Sequence, residues 1–202
     1  MKAVIIGTVT IAAAAALGLY TWSVSQETAA IPCGDTAVAT SAIGGPFELV
    51  SETGETVTDA DVITKPTLVY FGYTFCPDVC PLDSARNAQA AYMLQDEGYD
   101  VGTIFISIDP ARDTPEVVRD YTDNFHEDMF GLTGSPEQVD VASKAYRTYY
   151  RKQEGDDEYY LVDHSTQTYL MMPDTGFATF FKRAHTPEEI AETTACFIDA
   201  RS

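Results

Sequence analysis

The stretch FGYTFCPDVCP, Phe71 to Pro81, carries Cys76 and Cys80 with three residues between them, each followed by a proline. Such a pair supports three kinds of chemistry: a thiol–disulfide switch, a soft-metal site or a structural crosslink. A crosslink closing so short a loop removes little entropy from the unfolded chain and is a poor staple. A thioredoxin-like redox pair normally has two intervening residues. The longer spacing still permits oxidation and also opens the sulfurs enough to hold an ion. One helical turn or a tight loop brings both to the same side.

A metal needs a third ligand, and the chain has three histidines. His126 (NFHED) lies at an acidic helical end and reads as a surface residue. His185 (RAHTP) precedes a helix cap and reads as a loop residue. His164 (YYLVDHST) follows an apolar strand, flanked by Asp163 and two hydroxyl residues, and is the candidate ligand. A loop histidine with a structural role is the competing reading. Two thiolates and one imidazole suit Cu(I) or zinc. Structural zinc takes four protein ligands, and no fourth is evident. A three-coordinate, partly open site favours copper that is handed on.

The elements that must position these groups are legible as runs and caps. Thr67 to Tyr73 (TLVYFGY) is a continuous β-branched and aromatic run, the pattern of a strand buried on both faces, and Val101 to Ile108 is a second. Shorter strand candidates are Met129 to Thr133, Glu158 to Val162, Thr168 to Met172 and Phe177 to Phe181. Thr114, Ser135 and Thr186 each supply a capping hydroxyl followed by proline and an acid, and the last two add Gln138 and Glu189 at the capping-box position. A further helix is predicted from about Leu82 to Glu97, ended by Gly98. This order gives an α/β layer fold in which the first two strands are adjacent and parallel in the sheet centre. Cys76 then sits at the carboxyl end of a central strand, where open α/β sheets place their sites. The following helix N-terminus stabilises a thiolate there.

The segments YTFCPDVCP, DPARDTP, FGLTGS and YLVDHST together resemble the Sco/SenC family of membrane-anchored copper proteins, from about Phe47 to the C-terminus. The resemblance implies a thioredoxin-like fold, with a central mixed sheet flanked by helices. It implies copper, as Cu(I) or Cu(II), held by Cys76, Cys80 and His164. It also implies delivery to the binuclear CuA centre on subunit II of cytochrome c oxidase, with the upstream donor unspecified. Asp78 would touch Cu(II) or tune the thiols. Asp109, Arg112 and Asp113 would shape the neighbouring loop, most simply as an ion pair bracing a turn. Many relatives carry histidine before the first cysteine; here the residue is Phe75. Met171 and Met172 are adjacent on a strand and face opposite ways, so they read as core rather than as extra ligands. The alternative function is a thiol–disulfide oxidoreductase that reduces the acceptor's cysteines, using Cys76 and Cys80 without need of His164. A peroxidase is disfavoured, because Thr74 lies two residues before Cys76 where such enzymes place threonine three before. The leading reading is therefore a carrier rather than a catalyst.

The 202 residues include 31 acids and 12 bases, a net charge of -19, and no basic stripe that would neutralise phosphates, which argues against a nucleic-acid partner. Ala3 to Trp22 has no charged residue and is long enough to cross a bilayer. The expected organisation is a transmembrane anchor at 1–22, a flexible tether at 23–45 and the copper-binding domain at 46–202. Lys2 before the span and acids after it place the domain on the periplasmic side of the inner membrane. A cleaved signal peptide is the competing reading. Cys33 and Cys196 complete an even count in an oxidising compartment and are predicted to form a disulfide, against the alternative of two free thiols.

Overall fold

The computed structural model describes Cys33, residues 43–156 and residues 159–201. The anchor and most of the tether lie outside the described residues, and among the described residues no helix is long and apolar enough to cross a membrane.

The elements in order are β1 (Glu48–Ser51), β2 (Thr56–Thr58), α1 (Asp59–Val62), β3 (Thr67–Gly72), α2 (Val79–Asp96), β4 (Gly102–Ser107), α3 (Pro115–Thr122), β5 (Met129–Thr133), α4 (Pro136–Ala145), β6 (Tyr150–Lys152), β7 (Val162–His164), β8 (Thr168–Met172), β9 (Gly176–Phe181) and α5 (Pro187–Asp199). Seven strands form one mixed sheet in the order β2-β1-β5-β4-β3-β8-β9, while β6 and β7 make a separate ribbon. As expected, β3 and β4 are adjacent and parallel, with Thr67 opposite Gly102 and Gly72 opposite Ser107. β5 continues the parallel core, whereas β8 runs antiparallel to β3.

Every residue of β3 and β4 is buried, which is what a continuous apolar run requires of a central strand. On one face Leu68 and Leu170 pack with Ala90 and Leu94 of α2 and with Ile190 and Phe197 of α5. On the other, Val69, Phe71 and Tyr169 pack with Phe47, Val139 and Tyr146. The three hydroxyl caps form as read: Thr114, Ser135 and Thr186 each accept a backbone N–H, and the last two complete capping boxes.

Two expectations are corrected. The predicted strand began at Glu158, which lies outside the described residues; among the described residues the strand here is β7 at Val162–His164, so His164 is the last residue of a strand rather than beyond its end. Tyr160 is withdrawn from the ladder by its side chain, whose ring is covered by Arg112 at 3.6 Å and Lys152 at 3.8 Å and whose hydroxyl donates to Asp109 at 2.6 Å. The helix after Cys76 begins at Val79 rather than Leu82, which makes Cys80 a residue of its first turn. Cys33 is buried and bonded to Cys196, the disulfide predicted from the cysteine count. At the end of the tether, the Gly44 N–H donates to the Ala145 carbonyl at 2.9 Å.

Candidate metal centre

β3 ends at Gly72 and the chain turns through Tyr73 to Asp78 before α2 begins. A side chain at position 72 has no room: a Cβ there would lie 2.8 Å from Tyr70 Cε1 and 3.1 Å from Cys80 Sγ. The turn returns Cys76 over the start of α2, where the Cys80 backbone N–H donates to Cys76 Sγ at 3.3 Å. The Cys76 thiol is lowered to about 5, first by the Cys80 side chain and then by the N–H groups of Asp78, Cys80 and Val79, against the opposing effect of burial. The same pairing, together with burial, pushes the Cys80 thiol up. One sulfur is therefore a ready thiolate and the other holds the shared proton, the division expected when two thiols interact at a helix N-terminus.

His164 arrives on β7, in the separate two-stranded ribbon. β7 pairs with β6 so that His164 stands opposite Tyr150, and Asp163, facing away, is held by Arg151 at 3.1 Å and Gln153 at 2.5 Å. His164 Nδ1 lies 3.2 Å from the Val162 carbonyl oxygen, which can only accept, so Nδ1 carries the proton and Nε2 the lone pair. Nε2 is 3.4 Å from Cys80 Sγ, and the Tyr73 ring meets the imidazole edge-on at 5.7 Å between centroids. Cys80 thus touches Cys76 on one side and His164 on the other. Among the described residues, no three His, Cys, Asp or Glu side chains are already closed around a metal-sized centre. The donor set nevertheless fits a soft monovalent ion: a thiolate favoured at Cys76, a second sulfur at Cys80 whose proton a bound cation would displace, and one unprotonated imidazole nitrogen beside it.

The DPARDTP segment braces this arrangement. Asp113 is fully buried and accepts from Thr74 N at 3.0 Å, Thr74 Oγ1 at 2.6 Å and Ser107 Oγ at 2.5 Å, tying the cysteine turn to the end of β4. Asp109 pairs with Arg112 at 2.6 Å, and the Arg112 guanidinium lies over the Phe75 ring at 4.7 Å. The bracing role expected of Asp109 and Arg112 is met, and Phe75 is an exposed lid on the arginine.

The other sequence candidates separate clearly. His126 is not a surface residue: it is buried against the Tyr92 ring at 4.0 Å, and its Nδ1 accepts the Asp128 N–H at 3.0 Å. Its acidic neighbours suggested exposure, but Tyr92 of α2 covers the ring. His185 is a loop residue, as read, with Nδ1 accepting the Lys182 N–H at 3.0 Å. Asp78 is exposed at the helix N-cap with no side-chain capping bond, and it acts on Cys76 through its backbone N–H. Met171 and Met172 are both buried and divide between the two core clusters.

Two residues at the site were not anticipated. Tyr70 of β3 places its hydroxyl 3.5 Å from His164 Nε2 and donates to Asp83 Oδ2 at 3.1 Å. Asp83 is buried on α2, and its Oδ1 faces Arg86 at 3.2 Å and Arg183 at 3.5 Å. A faint signal existed: Cys80, Asp83, Ser84 and Asn87 recur at helical spacing, a polar stripe on the face that should be apolar.

Comparison with known proteins identifies relatives over most of the domain. A family model described as SCO1/SenC matches residues 35–199. "Protein SenC" of Rhodobacter capsulatus is 59% identical over 165 residues, covering 82% of this chain and 75% of that protein. "Protein SCO1 homolog 1, mitochondrial" of Arabidopsis thaliana is 43% identical over 152 residues, which are 75% of this chain and 46% of that protein, so the chain spans about half of that relative's length. The crystal structure of Arabidopsis thaliana ScoI with copper bound is similar at a TM-score of 0.74 and 41% identity, covering 78% of this chain and 99% of that one. With its cysteine turn, its strand-end histidine and a family match over most of its length, the chain belongs to the SCO1/SenC family.

Proposed function

We propose that the protein is a copper metallochaperone that takes up copper through Cys76, Cys80 and His164 and passes it by ligand exchange to the CuA centre on subunit II of cytochrome c oxidase. The observation that carries the reading is the approach of His164 Nε2 to Cys80 Sγ at 3.4 Å, with the imidazole's other nitrogen already occupied by Val162. A dithiol reductant has no use for that lone pair, whereas a soft cation bound by two sulfurs does. Copper-bound relatives of the same fold supply the identity of the ion. The Cys33–Cys196 disulfide supports an oxidising compartment. Together with the uncharged run at 3–22, it favours a domain anchored to the inner membrane and facing the periplasm.

The test is Cu(I) retention by the reduced full-length protein against bathocuproine disulfonate. Wild type should hold about one Cu(I) per chain, as two thiolates and one imidazole make one soft site. His164→Ala should release it at much lower chelator, while His185→Ala should match wild type. His126→Ala is a poor control, because that ring is buried. Absence of copper in wild type, or equal retention in His164→Ala, would remove the three-ligand site.

The low Cys76 thiol favours a second reading, thiol–disulfide exchange with the acceptor's cysteines. That activity would survive His164→Ala, so the same variant separates the two.

A further inference from the structure

Behind the three proposed ligands lies a buried polar chain that the copper reading does not by itself require. Tyr70 has one hydroxyl proton and three partners within reach: Asp83 Oδ2 at 3.1 Å, His164 Nε2 at 3.5 Å and the Cys80 side chain. The proton goes to the nearer, ionised acceptor, since a hydrogen bond to a carboxylate is the stronger one. Asp83 lies above the usual carboxylate range because it is buried, but Arg86 and Arg183 converge on its other oxygen, Oδ1, at 3.2 and 3.5 Å and favour the charged form. The phenol therefore turns only lone pairs toward the imidazole.

We propose, resting on the copper reading above, that Tyr70 and Asp83 are positioning residues: Asp83 draws the Tyr70 proton away from His164 so that no phenol O–H competes with the metal for the Nε2 lone pair. If Asp83 lost its acceptor, the Tyr70 hydroxyl would swing its proton to Nε2 and compete with copper for the same lone pair. The pairing of atoms makes this specific. In Asp83→Asn, Arg86 and Arg183 hold the amide oxygen at the Oδ1 position, which leaves the NH2 group facing Tyr70. That group donates to the phenol oxygen, and the phenol proton has only Nε2 or Cys80 Sγ left to meet.

The experiment is a double-mutant cycle read in two ways. In the metal-free reduced full-length protein, nitrogen NMR of His164 should show an unprotonated Nε2 in wild type, perturbed only by the weak S–H donor of Cys80 at 3.4 Å. Asp83→Asn should give the larger shift of an Nε2 that accepts an O–H bond, and Asp83→Asn/Tyr70→Phe should return it to the wild-type value. With Cu(I) and bathocuproine disulfonate, Asp83→Asn should bind about tenfold more weakly, the worth of one net hydrogen bond. The double variant should bind like Tyr70→Phe alone. A merely structural role for Asp83 would leave the double variant as weak as, or weaker than, Asp83→Asn. Either that result, or an Nε2 shift unchanged in Asp83→Asn, overturns the proposal. Failure of wild type to bind Cu(I) would instead defeat the copper reading, and the NMR comparison would still decide whether Asp83 controls the Tyr70 proton.

Discussion

Removing the Cys33–Cys196 disulfide tests how the domain is held at the pole away from the cysteine turn. The bridged residues are 163 apart in sequence, so the bond closes nearly the whole domain into a loop. The chain-entropy model values such a closure at about 5 kcal/mol, and native disulfides are worth about 2–5 kcal/mol once strain and residual denatured structure are allowed for. For a domain of this size each kcal/mol moves the midpoint by about 2–4 °C, so the Cys33→Ser/Cys196→Ser variant should melt about 5–20 °C lower. Cys33 is buried among Ala90, Leu94 and Phe197, and serine there adds a small penalty for its hydroxyl. A Cys33→Ala/Cys196→Ala variant removes that term and should fall within the same range. Thermal unfolding followed by far-ultraviolet circular dichroism reads the shift. Alkylation of denatured, unreduced protein, with peptide mass analysis, checks the premise: label should appear on Cys76 and Cys80 and not on Cys33 or Cys196. A midpoint within about 2 °C of wild type, or label on Cys33 and Cys196, would show that the strap contributes nothing to stability.

Two further outcomes follow from the site. The rate of Cys76 alkylation by iodoacetamide should rise with pH through about 5, well below the ordinary thiol range, because the folded pKa is depressed. By the same sign, Cys76 contributes stability that is full above its unfolded pKa and vanishes as pH falls through about 5, while Cys80 contributes oppositely; a rate midpoint near the unperturbed value would contradict the thiolate assignment. Gly72→Ala should destabilise the fold by about 1–3 kcal/mol and weaken Cu(I) retention, since the new methyl meets Tyr70, Phe105 and Cys80 Sγ; wild-type stability in urea unfolding would mean the turn is looser than its packing indicates.

What the sequence by itself determined is local. Short continuous apolar runs rich in β-branched and aromatic residues favour buried strands, and hydroxyl–proline–acid starts favour helix caps, so β3, β4 and the three capped helices were legible without coordinates. The cysteine pair and its place at a strand end were equally legible, and with them the character of the thiols. The even cysteine count was enough to predict the strap to Cys196, because free thiols are a liability where disulfides persist. Tertiary structure decided whatever depends on partners far apart in the chain. Tyr70 and His164 are 94 residues apart, and nothing local says that a core tyrosine reaches an imidazole. Asp83 reads as a solvated helix acid until packing buries it and two arginines neutralise it. His126 reads as exposed until Tyr92 covers it. Propensity and patterning act within a few residues, whereas desolvation is set by whatever the fold lays on top, and it is desolvation that turns these polar groups into parts of a site.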